Sequence, residues 1–101
     1  MTFKEFLNDS RFKDGMIRDR VICKDGFSFS AQKSIFHRCG NNSVEIGFPS
    51  EEESLIKDYI EDKENPLNTV YNYVPIQVVE KVIEKHGGID GKKMRTLCSK
   101  K

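Results

Sequence analysis

At 101 residues the chain has the length of one domain, enough to bury roughly two-thirds of its unfolded surface around a single core. Its 37% hydrophobic and 33% charged residues, seven Phe and three Tyr among them, exclude a disordered chain, and no apolar run approaches the roughly 18 residues that a membrane span needs. The net charge of +1 conceals three blocks: +3 over Met1 to Ser43, −7 over Val44 to Gly91 and +5 over Lys92 to Lys101. Such segregation predicts surfaces of opposite sign, suited to oriented association with a charged partner or a second copy; a solvated acidic face balanced by basic ends is the plainer reading.

In chain order, Thr2 followed by Glu5 is a capping-box pattern, and Phe3, Phe6 and Leu7 would share one side of a short helix ending near Asn8–Ser10. Met16–Cys23 and Phe27–Ala31 read as two strands around Lys24-Asp25-Gly26, because Asp-Gly supplies the positive φ that tight hairpins demand. Phe27, Phe29 and Ala31 then face the core, with Ser28 and Ser30 toward water. Ser34–Cys39 and Ser43–Phe48 flank the turn Gly40-Asn41-Asn42 and extend the meander. Pro49 ends the strand.

Ser50 with Glu53 reads as a second capping box, three carboxylates lying where the helix dipole favours them, and predicts a helix over about Glu51–Glu61 that buries Leu55, Ile56, Tyr59 and Ile60. A polar loop, Asp62–Asn68, precedes the strand Thr69–Val74, rich in β-branched and aromatic residues. Pro75 then opens a helix whose apolar stripe, Ile76, Val78, Val79, Val82 and Ile83, runs to the stop at Gly87-Gly88. The expected fold is therefore α+β, with one domain over Met1–Gly91. A small, mainly antiparallel sheet of roughly three to five strands is packed by two main helices, with a short N-terminal helix before it. Lys92–Lys101 forms a basic tail that either docks as a short helix or stays loose.

Chemistry-bearing patterns are sparse. No Gly-x-Ser-x-Gly elbow is present, and the one glycine pair, Gly87-Gly88, follows a helix instead of preceding one, the reverse of a phosphate cradle. His86 falls in the last turn of a helix, where a cation interacts favourably with the dipole, and His37 alternates along a strand as a surface residue would. His37, Cys39 and Cys23 are the candidate zinc ligands, although the paired Cys-x-x-Cys spacing of structural zinc sites is missing. Cys23, Cys39 and Cys98 are an odd number at wide spacings, which predicts free thiols in a reducing compartment. The opening Met1–Leu7 lacks a signal peptide's layout, so a cytoplasmic location is expected.

These absences point to a binding protein with no enzymatic role, no cofactor, no bound metal and no membrane partner. Arg18, Arg20, Lys92, Lys93 and Arg95 are the candidate contact residues, joined by Tyr71 and Tyr73, whose rings would share one strand face and stack bases if the partner were nucleic acid or a nucleotide. The −7 block suggests the converse, carboxylates presented to the groove of a basic, nucleic-acid-handling protein. Sheet edges without evident cover leave a homodimer open.

Three stretches carry a family resemblance: Cys23–Ala31 (CKDGFSFSA), Val44–Ser50 (VEIGFPS) and Thr69–Ile89 (TVYNYVPIQVVEKVIEKHGGI). Together they resemble, over about Met16–Ile89, a group of small proteins encoded in bacteriophages and prophages. The matching features are turns, caps and core positions, so the resemblance implies a shared fold and assigns no catalytic residue. It also implies a context, inhibition of a host defence component such as a CRISPR effector, or the sequestering of an immune signalling nucleotide, in the host cytoplasm.

Overall fold

The computed structural model of the chain describes residues 1–14, 17–33 and 42–94. Thr2 caps α1 (Phe3–Asn8) in both directions: its hydroxyl accepts the Glu5 N–H at 3.1 Å and its own N–H donates to Glu5 Oε1 at 2.9 Å. Phe3 and Phe6 point inward, and Phe6 stacks between Phe3 and Phe12 with ring centroids 6.0 and 5.7 Å away. Phe12 arrives from a 3-10 turn, Ser10–Phe12, that Asp9 caps.

Lys13–Asp14 (β1) and Ile17–Arg18 (β2) form a small ribbon. The main sheet has four antiparallel strands in the order β3 (Val21–Ile22), β4 (Ser28–Gln32), β5 (Ser43–Gly47), β6 (Val70–Pro75). The strand expected from Met16 to Cys23 is thus split into β2 and β3 by Asp19 and Arg20. Asp19 N–H bonds back to the Phe12 carbonyl at 2.6 Å, and the Arg20 side chain turns toward Ser28. Between β3 and β4, Gly26 alone takes the positive φ (97°), and Cys23 N–H closes the loop on Phe27 O at 2.8 Å. The expected Ser34–Cys39 strand lies outside the described residues.

Helix α2 (Ile76–Lys85) follows β6 directly with Pro75 as its N-cap, and buries Val79, Val82 and Ile83. Its end is a Schellman motif: Gly88 N–H bonds Ile83 O at 2.8 Å, Gly87 N–H bonds Glu84 O at 3.1 Å, and Gly87 has the left-handed φ of 91° that the motif requires. The helix expected over Glu51–Glu61 is instead a 3-10 helix, Ser54–Tyr59, with Glu53 as its N-cap. Only Ile56 of its four expected core residues is fully buried, and Leu55 is exposed. Both helical elements still lie against β6, so the α+β architecture holds, with one core running from Phe3 to Met94. Residues 91–94 are helical and Met94 is buried, which docks the start of the basic tail on the domain. No helix among the described residues is long and apolar enough to cross a membrane.

Candidate functional site

The densest polar cluster among the described groups forms where the end of α2 meets the β3–β4 turn and the cap of the 3-10 helix. The Schellman turn places His86 at the C-cap of α2, 7% exposed, with its ring over Phe27 at a centroid distance of 4.1 Å and an interplanar angle of 13°. Asp25 reaches it from the turn: Oδ1 accepts the Phe27 N–H at 2.9 Å, and Oδ2 lies 2.6 Å from His86 Nδ1. Glu53 reaches it from the other side, Oε1 lying 2.7 Å from His86 Nε2, while Oε2 accepts the Leu55 N–H at 2.9 Å and the Lys85 ammonium at 3.0 Å.

Ionised carboxylates only accept hydrogen bonds, so a ring with one on each nitrogen must carry both protons. The surrounding shifts agree. Burial pushes the Glu53 carboxyl up, but the Leu55 N–H, His86 and Lys85 outweigh it and hold the group below its ordinary range. The Phe27 N–H, and then His86, lower Asp25. Burial opposes the charge on His86, yet the Glu53 and Asp25 hydrogen bonds raise its pKa overall. Two cations, His86 and Lys85, balance two anions, Asp25 and Glu53, which makes this cluster electrically neutral around the buried His86 and Glu53. Neither nitrogen of the imidazolium keeps a lone pair with which to take a proton, bind a metal or activate a nucleophile. The cluster is a clasp that ties three distant pieces of chain together.

Beside it, a groove of about 590 Å³ opens between the 3-10 helix and the following loop, lined by Glu52, Glu53, Lys57, Lys63, Tyr71 and Lys85. Its walls carry charges of both signs, which suits no single charged ligand.

The seven residues singled out from the sequence do not converge. Arg18 is 9% exposed; its guanidinium donates to the Lys33 carbonyl at 2.9 Å and the Leu7 carbonyl at 3.3 Å, while its main chain pairs with the Gln32 amide. It ties β2 to β4 and α1 and is withdrawn from the surface where a contact residue would lie. Arg20 is half-buried and donates to Ser28 Oγ at 2.9 Å and to the Phe48 carbonyl. Tyr71 is 2% exposed, its hydroxyl donating to Pro66 O at 2.7 Å. Tyr73 is 54% exposed, so the two rings do not share a face. An irregularity between Val44 and Ile46 leaves both Asn72 and Tyr73 opposite Glu45, and the inserted residue breaks the alternation. Lys92 and Lys93 are exposed, and Arg95 lies outside the described residues.

His37, Cys39 and Cys98 also lie outside them. Cys23 is fully buried, its thiol pushed up to about 11 by burial and by Asp25. Among the described residues no three His, Cys, Asp or Glu side chains are grouped to hold a metal ion. Sequence reading placed His86 at a helix end in a structural role but missed both its partners, because Asp25 and Glu53 lie 61 and 33 residues away and their local signals, a turn and a helix cap, report nothing of His86. No protein-family model, curated protein or solved structure matches the chain.

Proposed function

We propose that this chain is a non-catalytic binding protein that acts by protein–protein contact in the host cytoplasm, inhibiting a defence component in the manner its resemblance to phage-encoded proteins suggests. The observation that carries the reading is the segregation of surface charge. Between Glu51 and Glu64, six exposed carboxylates (Glu51, Glu52, Asp58, Glu61, Asp62, Glu64) face two exposed lysines, Lys57 and Lys63. A predominantly acidic surface gives speed and orientation to association with a basic protein, the kind of surface that effectors handling nucleic acids present. The clasp supports the same reading, because His86 is committed to the fold. Direct nucleic-acid or nucleotide binding draws less support: Arg18 and Tyr71 are internal, so neither joins Tyr73 in a stripe of exposed cations and rings among the described residues. A zinc-stabilised module rests on His37 and Cys39, outside the described residues, and on a buried Cys23.

The test is expression of the chain in bacteria whose CRISPR or other defence effector restricts a phage, read as plaquing efficiency. Restored plaquing that is lost when Glu51, Glu52 and Asp62 are all replaced by lysine is the expected result. Unchanged restriction across a panel of such effectors, with no effector co-purifying with the tagged chain, would refute the proposal.

A further inference from the structure

The β5–β6 bulge places Tyr73 in a backbone conformation that a tyrosine adopts only under strain. Its φ is 54°, in the left-handed region that a bulky residue avoids and a glycine enters freely, and its ring is 54% exposed, so little burial offsets the strain. The tyrosine hydroxyl has no hydrogen-bond partner among the described residues. The neighbouring Asn72 adds a second cost, a buried Oδ1 with no donor. Phe48 has a similar φ of 49° and is also exposed, but its main chain is fastened on both sides, the N–H to Thr69 O at 3.0 Å and the carbonyl to Arg20. A regular β5–β6 register would instead turn residue 73 to the core face beside Tyr71.

We infer that Tyr73 is the anchor of the binding surface, and that its occupant is a basic patch of a partner protein with an arginine laid over the Tyr73 ring. This deepens the protein-binding reading and rests on it. Charge complementarity selects the occupant. Glu45 lies across the bulge from Tyr73 on β5. On the far side of β6, Ile60 pairs with Tyr71 and Glu61 N–H bonds Val70 O at 3.0 Å, so the acidic segment runs alongside the same strand. Glu45 across the bulge and the acidic segment along the other edge of β6 put carboxylates on both sides of the strand that carries Tyr73. A guanidinium suits such a setting, stacking its plane on the ring while its edge donates to acids; an ammonium has no plane to stack. A tyrosine, with only two side-chain torsions, also loses little conformational freedom on binding.

The experiment uses the ¹⁵N-labelled full chain and three acetylated peptides alike except at two positions, which carry arginine, lysine or the uncharged isostere citrulline. The arginine peptide is expected to shift the amides of Asn72, Tyr73 and Glu45 most, to bind about threefold or more tighter than the lysine peptide, and to lose that advantage in Tyr73→Gly. The same variant is expected to raise the melting temperature, since glycine relieves the left-handed strain. Equal shifts with citrulline, shifts centred elsewhere, or a lower melting temperature in Tyr73→Gly would overturn the inference. The two proposals fail separately: Tyr73→Gly that still restores plaquing removes the anchor and leaves the binding reading intact. Arginine-specific shifts at Tyr73 with no effector inhibited would sink the proposed target and leave the anchor.

Discussion

Replacing His86 by alanine tests how much the clasp holds. The substitution deletes both ring donors. Glu53, with its side chain 1% exposed, keeps the Leu55 N–H and the Lys85 ammonium but loses the partner of Oε1. A hydrogen bond to a charged group contributes about 1.5–3 kcal/mol, and the lost stacking on Phe27 adds about 0.5–1.5 kcal/mol. Asp25, whose side chain is 48% exposed, regains water when its partner leaves. The expected loss is therefore about 2–4 kcal/mol, which lowers the melting temperature of a domain this size by roughly 10–25 °C. The pH dependence has a defined sign. Because the folded pKa of His86 is raised above its ordinary 6.5, the clasp contributes fully below that value and fades as pH rises through the folded pKa. Asp25 and Glu53 have lowered pKa values, so their contribution is present above their ordinary 3.8 and 4.5 and fades as pH falls through the folded ones. Urea unfolding followed by circular dichroism should then show the gap between parent and His86→Ala widest from about pH 5 to pH 6.5 and narrowing as pH is raised further into the alkaline range. A gap below about 1 kcal/mol, or one that stays constant over that alkaline range, would refute the imidazolium clasp.

Arg18→Met should cost about 2–3 kcal/mol, because it leaves the Leu7 and Lys33 carbonyls without their guanidinium; Lys24→Met, at an exposed position, should stay within about 0.5 kcal/mol. Equal melting temperatures for the two variants would return Arg18 to the list of surface contacts. In a Cys39→Ser, Cys98→Ser background, the Cys23 thiol should resist an aromatic disulfide reagent at about pH 8 until the chain is unfolded. Rapid labelling of the native protein would contradict its burial.

Local signals were sufficient where the interaction they report is itself local. Thr2 and Glu5 close the capping box three residues apart, Gly26 turns the β3–β4 loop, and Gly87-Gly88 ends α2. The segment after Ser50 shows where this reasoning stops. Three glutamates and a serine resemble a helix start, yet Glu53 caps a 3-10 turn because its Oε1 is drawn to His86, 33 residues along the chain, and its Oε2 to Leu55 and Lys85. A buried, multiply bonded carboxylate fixes the backbone more firmly than three solvated ones at a helix end, whose individual contributions are about 0.3–1 kcal/mol.

The same limit explains why Tyr71 and Tyr73 part company and why Arg18 is internal. Counting by twos put Tyr71 and Tyr73 on one face, and that count holds only while each residue of β6 faces one residue of β5. The extra residue at the bulge resets the alternation, sending Tyr71 into the core and Tyr73 outward. A glycine or asparagine at position 73 would have flagged the left-handed backbone in advance; a tyrosine gives no such sign. Charge count misled in a parallel way, since Arg18 contributes to the basic N-terminal block but spends its guanidinium on main-chain carbonyls inside the fold. With Arg18, Asp25, Glu53 and His86 engaged internally, recognition falls to the polar and aromatic groups left outside. Among those, Tyr73 combines a left-handed backbone with more exposure than Phe48, the other non-glycine residue of that conformation among the described residues.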